Sequence, residues 1–157
     1  MSDALRPLRD HVTKALDWSE AHIGFDKALE RIPADRRGDR PAGMQHSAWE
    51  LLEHMRLAQL DLLDFCRKTD YAHALAWPAD YWPPSPGPAE GEWDRCMTQF
   101  RADLQALRAF IDDPSTDLYA KVPTGKPGQT HLRSILLVID HNAYHLGQLI
   151  SVGQALG

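Results

Sequence analysis

Cysteine is scarce in this sequence. Of 157 residues only Cys66 and Cys96 are cysteines, and they do not form a C-x-x-C motif. A disulfide framework is therefore not expected, and a reducing compartment fits the cysteine content. The first ten residues lack the apolar core of a signal peptide. No stretch reaches the roughly 18 consecutive apolar residues that cross a bilayer. We therefore expect a cytoplasmic protein that has no membrane partner.

Positive charge is also in short supply. The sequence has 17 Lys and Arg against 22 Asp and Glu, which gives a net charge of −5 with histidine neutral. This balance argues against a nucleic-acid partner, because binding phosphates requires a surface rich in Lys and Arg. The composition is 43% hydrophobic and 25% charged, which is typical of a globular protein. The length predicts a single domain over residues 1–157.

Strand patterns and internal repeats are missing, and four amphipathic segments take their place. Ser47 and Glu50 form an S-x-x-E capping box, which is the clearest helix start in the sequence. Pro7 is compatible with the first helix only in its first turn. Four such helices joined by two long connections predict an all-α fold, a four-helix bundle with long crossover connections. The predicted helices run from about Asp3 to Glu30, from Ser47 to Lys68–Asp70, from Glu90 to Ile111, and from Thr130 to Ala155.

Residues 71–91 form a long loop of unusual composition. Five prolines are mixed with aromatic residues that include Trp77, Tyr81 and Trp82. So many prolines exclude a helix interior or a central strand, and a loop of this length in a compact domain is usually functional. Two interpretations stay open. The aromatic residues form the apolar wall or lid of a site, or they close one end of the bundle.

Two histidines on the fourth helix are the strongest chemical signal. His141 and His145 are spaced i, i+4, so their imidazoles project from one face and can reach the same ion. The surrounding helix is almost entirely apolar and should be buried, and a buried imidazole requires a partner. A shared metal ion would supply one. The alternatives are two core histidines bonded to carbonyl or carboxylate groups, or two surface histidines.

A third ligand should come from another helix. His54 lies on the apolar face of the second helix between Leu51 and Ala58, although a lone core histidine would look the same. Three neutral imidazoles with an open position suit borderline divalent ions. We expect zinc or nickel, with iron or manganese as alternatives.

Several other polar residues are candidates for supporting roles. His46 precedes the helix cap and is expected in the loop or at the rim of the site. Glu50 and Asp61 could accept hydrogen bonds from ligand imidazoles, but Glu50 is engaged by the capping box, which favours Asp61. His22 and Asp26 could line the same cavity from the first helix, or form a polar rim or surface pair.

Two segments resemble a known family. Residues 140–149 read D-H-N-A-Y-H-L-G-Q-L and resemble the signature H-N-x-Y-H-x-G-Q of the DinB/YfiT-like family, and residues 49–54, W-E-L-L-E-H, match its first metal-binding histidine. The resemblance implies a four-helix bundle, one divalent metal on His54, His141 and His145, and often a homodimer.

The same resemblance suggests roles for neighbouring residues and for the whole protein. Gly147 would be a small residue that allows close helix approach, and Gln148 a polar neighbour of the site. The implied activity is metal-dependent and acts on a small-molecule substrate, as a thiol-dependent transferase or a hydrolase. Catalytic residues stay unassigned, because Asp26, Glu50, Asp61 and Tyr144 lack diagnostic spacing and Tyr144 could instead face a partner helix. The alternatives are a non-catalytic metal-binding protein and a helical interaction protein without metal.

Overall fold

A computed structural model describes residues 4–17 and 19–157. Within these residues the fold is all-α, with no strand beyond an isolated bridge between Lys121 and Thr130. α3 packs against both α4 and α5, and α1 and α2 complete the bundle. No helix in the described part of the chain is long and apolar enough to span a membrane. The helices are α1 (Arg6–Ala15), α2 (Phe25–Leu29), α3 (Ala48–Arg67), α4 (Glu92–Asp112) and α5 (His131–Leu156), with short 3-10 turns at Ala34–Arg36 and Ala79–Tyr81.

The first predicted helix is wrong in its extent. Its start at Asp3 lies outside the described residues, and Pro7 sits in the first turn of α1 as required. The described chain between α1 and α2 is not helical, and Gly24 precedes α2 in an extended conformation. The side chain of Phe25 then stacks on Phe100 of α4 at a ring-centroid distance of 4.3 Å. This buried aromatic pair holds the start of α2 against α4, so the segment forms a separate short helix rather than the continuous helix that periodicity predicts.

The other three predicted helices are confirmed to within two residues or so at their ends. At the start of α3 the Glu50 amide donates to Ser47 Oγ at 3.1 Å, and the Ser47 amide donates to Glu50 Oε2 at 2.8 Å. Both halves of the capping box are thus present. Thr130 caps α5 by accepting from the Arg133 amide at 3.2 Å.

A buried amide network joins the three long helices. Gln59 of α3 donates through Nε2 to the Phe100 carbonyl of α4 at 2.9 Å, and its Oε1 accepts from Asn142 Nδ2 of α5 at 2.9 Å. Gln59 is almost fully buried. Since a buried amide is stable only when its groups are paired, this network fixes the rotation of α5 about its axis and turns His141 and His145 toward α3.

The loop over residues 71–91 is held against α3 by one carboxylate. Asp61 accepts hydrogen bonds from the hydroxyl of Tyr71 at 2.7 Å and from the hydroxyl of Tyr81 at 2.6 Å. Tyr81 is buried although it belongs to the loop. These contacts bring the segment around Trp77–Trp82 over the middle of α3.

Candidate metal centre

Three imidazoles from two helices converge inside the bundle. His54 comes from α3, and His141 and His145 come from α5. The Nε2 atoms of His54 and His141 are 3.0 Å apart, and one ring nitrogen of each histidine lies within 4.8 Å of the others. His54 and His145 are only 2% and 7% exposed. The predicted convergence of residue 54 with the 141/145 pair is therefore confirmed as geometry.

The His54 ring is oriented by two consecutive loop residues. Its Nδ1 lies 2.9 Å from the Tyr81 carbonyl. A carbonyl can only accept, so Nδ1 carries the proton and the Nε2 lone pair is left for the cluster. The indole of Trp82 stacks on the same imidazole with ring centroids 3.9 Å apart and an interplanar angle of 1°. Tyr81 and Trp82 thus fix both the tautomer and the plane of this ring.

The aromatic loop therefore forms a wall of the site, as one of the two interpretations of the sequence predicted. Trp77 also contributes, with its ring centroid 6.3 Å from that of His54, although its side chain is 64% exposed. His46 stacks on Trp82 at 3.9 Å and 11°. The indole is therefore sandwiched between the imidazoles of His46 and His54, and His46 lies at the rim as expected.

His145 is oriented by a neighbour on its own helix. Its Nδ1 donates to Gln148 Oε1 at 2.6 Å, and Gln148 Nε2 in turn donates to the Tyr144 hydroxyl at 3.3 Å. This arrangement leaves the Nε2 lone pair of His145 available. The prediction that Gln148 is a polar neighbour of the site is confirmed. Tyr144 is 63% exposed and packs edge-on against His145, rather than against another helix of this chain.

The protein environment keeps these imidazoles neutral. Burial, with added repulsion from nearby imidazoles, lowers the pKa of His54 from 6.5 to about 4 despite its bond to the Tyr81 carbonyl. Burial and the neighbouring His145 and His54 likewise lower the pKa of His141 to about 4. Burial also lowers the pKa of His145. Neutral imidazole is the form that binds a metal ion.

The donor set fits a divalent transition metal. Zinc–nitrogen bonds of about 2.0–2.1 Å, at angles between octahedral and tetrahedral, place two ligand nitrogens about 2.9–3.4 Å apart. The 3.0 Å between the His54 and His141 nitrogens falls in this range. The largest separation of 4.8 Å exceeds the roughly 3.4 Å between tetrahedral ligands, so the rings must close by about 1.4 Å for all three to share one ion. The cluster could hold a metal ion.

One of the two supporting predictions, that for Asp61, needs correction. Asp61 does not accept from a ligand imidazole, because its two oxygens are bonded to the tyrosine hydroxyls; it reaches His54 only through the backbone of Tyr81. Glu50 is occupied by the capping box and by Arg40, as anticipated. The Tyr81 carbonyl, which takes the role expected of Asp61, is a backbone group that no residue type in the sequence could signal.

Two further interpretations are wrong: that His22 and Asp26 line the cavity of the metal site, and that Gly147 allows close approach of another helix of this chain. His22 lies outside any helix, Asp26 pairs with Arg101 at 2.6 Å, and both line a separate cavity of about 290 Å³ that includes none of the three histidines. Gly147 does not allow close helix approach, since a Cβ placed on it would meet nothing within 4 Å. The helical periodicity of the sequence alone did not show in which direction His22, Asp26 and Gly147 face.

Fold and site together define a helical-bundle protein with a buried cluster of three neutral histidines. The family model for the DinB superfamily matches residues 18–149. The chain belongs to the DinB superfamily, and the resemblance seen in the two motifs is confirmed. No curated protein and no solved structure matches the chain.

Proposed function

We propose that the chain binds one divalent metal ion through His54, His141 and His145 and uses it as an enzyme acting on a small molecule. The observation that supports this is the convergence of three neutral imidazoles, two of whose Nε2 atoms are 3.0 Å apart. Zinc or nickel suits three imidazole nitrogens best, with iron or manganese as alternatives. When bound, such an ion acidifies a coordinated water or thiol and so supplies a nucleophile near neutral pH.

The chain's own residues would hold and shape this site. The Tyr81 carbonyl and the Gln148 amide each accept a proton from a ligand ring, which directs the other nitrogen of the ring inward. Such outer hydrogen bonds strengthen metal binding and fix its geometry. Trp82 covers one face of His54 and excludes water from it.

The surroundings of the cluster favour thiol transfer over hydrolysis. Among the described residues no carboxylate joins the three histidines. Of the acids considered, Asp26 is paired with Arg101, Glu50 caps α3, and Asp61 binds two tyrosines. Hydrolysis commonly uses a separate general base, whereas a coordinated thiol is deprotonated outright. We therefore propose thiol-dependent group transfer first and hydrolysis second.

Elemental analysis of protein purified without an affinity tag tests the metal site. We expect close to one equivalent of a single transition metal after titration and dialysis, and loss of that binding in His145→Ala. His22→Ala, which removes an exposed histidine outside the cluster, is the matched control. Less than about a tenth of an equivalent in the wild type, with no rebinding, would reject the proposal. The reaction is then tested by thiol transfer and by ester or amide hydrolysis, with His145→Ala as the inactive reference.

A second candidate is a non-catalytic metal-binding or interaction protein. The observation that favours it is a set of large apolar side chains exposed on α5: Leu136, Leu137 and Tyr144. Such residues on one helix suit a contact with a second copy of the chain, and we propose a homodimer. Light scattering tests this, with Leu136→Lys expected to yield monomers. Equal, background-level rates in wild type and His145→Ala would favour this candidate over the enzyme.

A further inference from the structure

Gly147 occupies a position where glycine is unfavourable. It lies in the interior of α5, and glycine in a helix interior is less stable than alanine. Packing within one chain does not account for it, because the residue is exposed there and a Cβ on it would meet nothing within 4 Å. Gly153 on the same helix differs, since its Cβ would lie 3.1 Å from Ile32 Cδ1 and 3.5 Å from Arg31 Cβ. Gly153 has a structural reason within the chain, and Gly147 does not.

Gly147 borders a groove beside the histidine cluster. The groove has a volume of about 560 Å³, within the range of about 300–1,000 Å³ for small-molecule sites. It runs between the loop of residues 43–46, the indole of Trp82 and the outer face of α5, and His145 belongs to its wall. A molecule in this groove would therefore lie against one of the three proposed metal ligands.

The wall of this groove is polar but carries no carboxylate, ammonium or guanidinium group. None of its described wall residues is Lys, Arg, Asp or Glu. The polar side chains that line it are Gln45, His46, Tyr144, Gln148 and Ser151. The Tyr144 hydroxyl accepts a hydrogen bond from Gln148, so the hydroxyl proton of Tyr144 remains available for donation to a ligand. The wall can therefore form hydrogen bonds with a ligand, whereas a charged group on the ligand would lose its hydration and find no counter-ion in the wall.

We propose that this groove is the substrate pocket of the three-histidine site and that Gly147 keeps it open. One electron-pair donor atom of the substrate lies at the metal position, where it would balance part of the positive charge of the ion. Its remaining part is uncharged and carries hydrogen-bonding groups such as amides or hydroxyls. This inference rests on the proposed metal-dependent function.

The charge preference can be tested on cobalt-loaded protein with two rigid thiols. 4-Mercaptobenzamide and 4-mercaptobenzoate have the same shape, and the para group of neither can reach an ion that the sulfur binds. Dissociation constants follow from the thiolate-to-cobalt absorption band, corrected for thiol ionisation. We expect the amide to bind at least as tightly as the carboxylate. In Ser151→Arg, which adds a cation to the wall, the affinity for the carboxylate relative to the amide should rise about tenfold. Tighter binding of the carboxylate than of the amide by the wild type, or an unchanged ratio in Ser151→Arg, overturns the inference.

The role of Gly147 can be tested with a matched pair of phenylalanine substitutions. Gly147→Phe should keep one equivalent of cobalt and weaken 4-mercaptobenzamide binding at least tenfold. Ala155→Phe places the same ring on an exposed position of α5 outside the groove and should bind as the wild type does. Gly147→Ala should raise the melting temperature by about 3 °C and so verify that glycine is unfavourable there.

The outcomes separate this inference from the proposed function. Wild-type protein that takes up no cobalt rejects the metal site and the inference with it. Wild type that binds cobalt and thiol while Gly147→Phe binds the thiol equally well rejects the inference alone. A change of oligomeric state could also weaken thiol binding. The inference is therefore rejected as well if light scattering shows that Gly147→Phe changes the oligomeric state, and if the thiol affinity of the wild type falls when dilution causes the same change of oligomeric state.

Discussion

Metal uptake at pH 6 should release almost no protons from His54 and His141. Three histidines with the ordinary pKa of 6.5 would together carry about 2.3 protons at pH 6 and would have to lose them on binding. In this protein burial lowers the pKa of His54 and His141 to about 4, so each carries less than about a tenth of a proton at that pH. His145, whose pKa is also lowered by burial, adds less than the ordinary value of about 0.8.

The direction of the pH dependence of metal affinity follows from the protonated imidazole being the disfavoured form. Burial penalises the charged imidazole, so His54 and His141 are already in the ligand form above pH 5 and add little pH dependence to metal affinity between pH 8 and pH 5. Affinity then falls as the pH drops through about 4, where His54 and His141 become protonated.

Isothermal titration with zinc at pH 6 in two buffers of different ionisation enthalpy measures the released protons. At this pH a bound water with a pKa near 7 contributes only about 0.1. The same titration with His46→Gln separates any proton that comes from the imidazole stacked on Trp82. Release of about two protons in both proteins would refute the claim that the environment holds the cluster neutral.

Three further changes test the packing around the site. Gln148→Leu removes the acceptor of His145 Nδ1 and should lower metal affinity about 10–100-fold in a competition assay with a chelator, while thermal stability stays near that of the wild type. Asp61→Ala leaves the Tyr81 hydroxyl without its acceptor and should weaken metal binding about tenfold through the displaced carbonyl. Tyr71→Phe removes the other bond of Asp61 and should not weaken metal binding. Equal metal affinity in Asp61→Ala and wild type would contradict this coupling of Asp61 to the metal site. Gln59→Ala strands the Phe100 carbonyl and Asn142 Nδ2 and should lower the free energy of unfolding in urea by about 2–4 kcal/mol; a change below about 1 kcal/mol would show that the network is not a structural determinant.

The parts of this fold that could be predicted are those whose signal is local. The capping box of Ser47 and Glu50 specifies the start of α3 within a single turn, and the i, i+4 spacing places His141 and His145 on one face of α5. His54 was a candidate third ligand because it lies on the apolar face of α3, and the resemblance to a family motif, rather than any spacing, assigned it to the same metal ion. Phe25 shows the limit of local reasoning, because its stacking on Phe100 joins residues that are far apart in the sequence, and it begins a separate helix, α2, where periodicity would continue the first one.

The site itself depends on groups that carry no sequence signature. The proton on His54 Nδ1 is held by a backbone carbonyl, and that carbonyl is in place because the side chain of the same residue, Tyr81, is bonded to Asp61, which lies two turns along α3 from His54. Tyr81 therefore couples the docking of the loop over residues 71–91 to the direction of the His54 Nε2 lone pair. It follows that the loop belongs to the metal site as much as the helices do: two imidazoles on α5 can share an ion by helical spacing alone, but the third is directed toward them only when the loop is docked on α3.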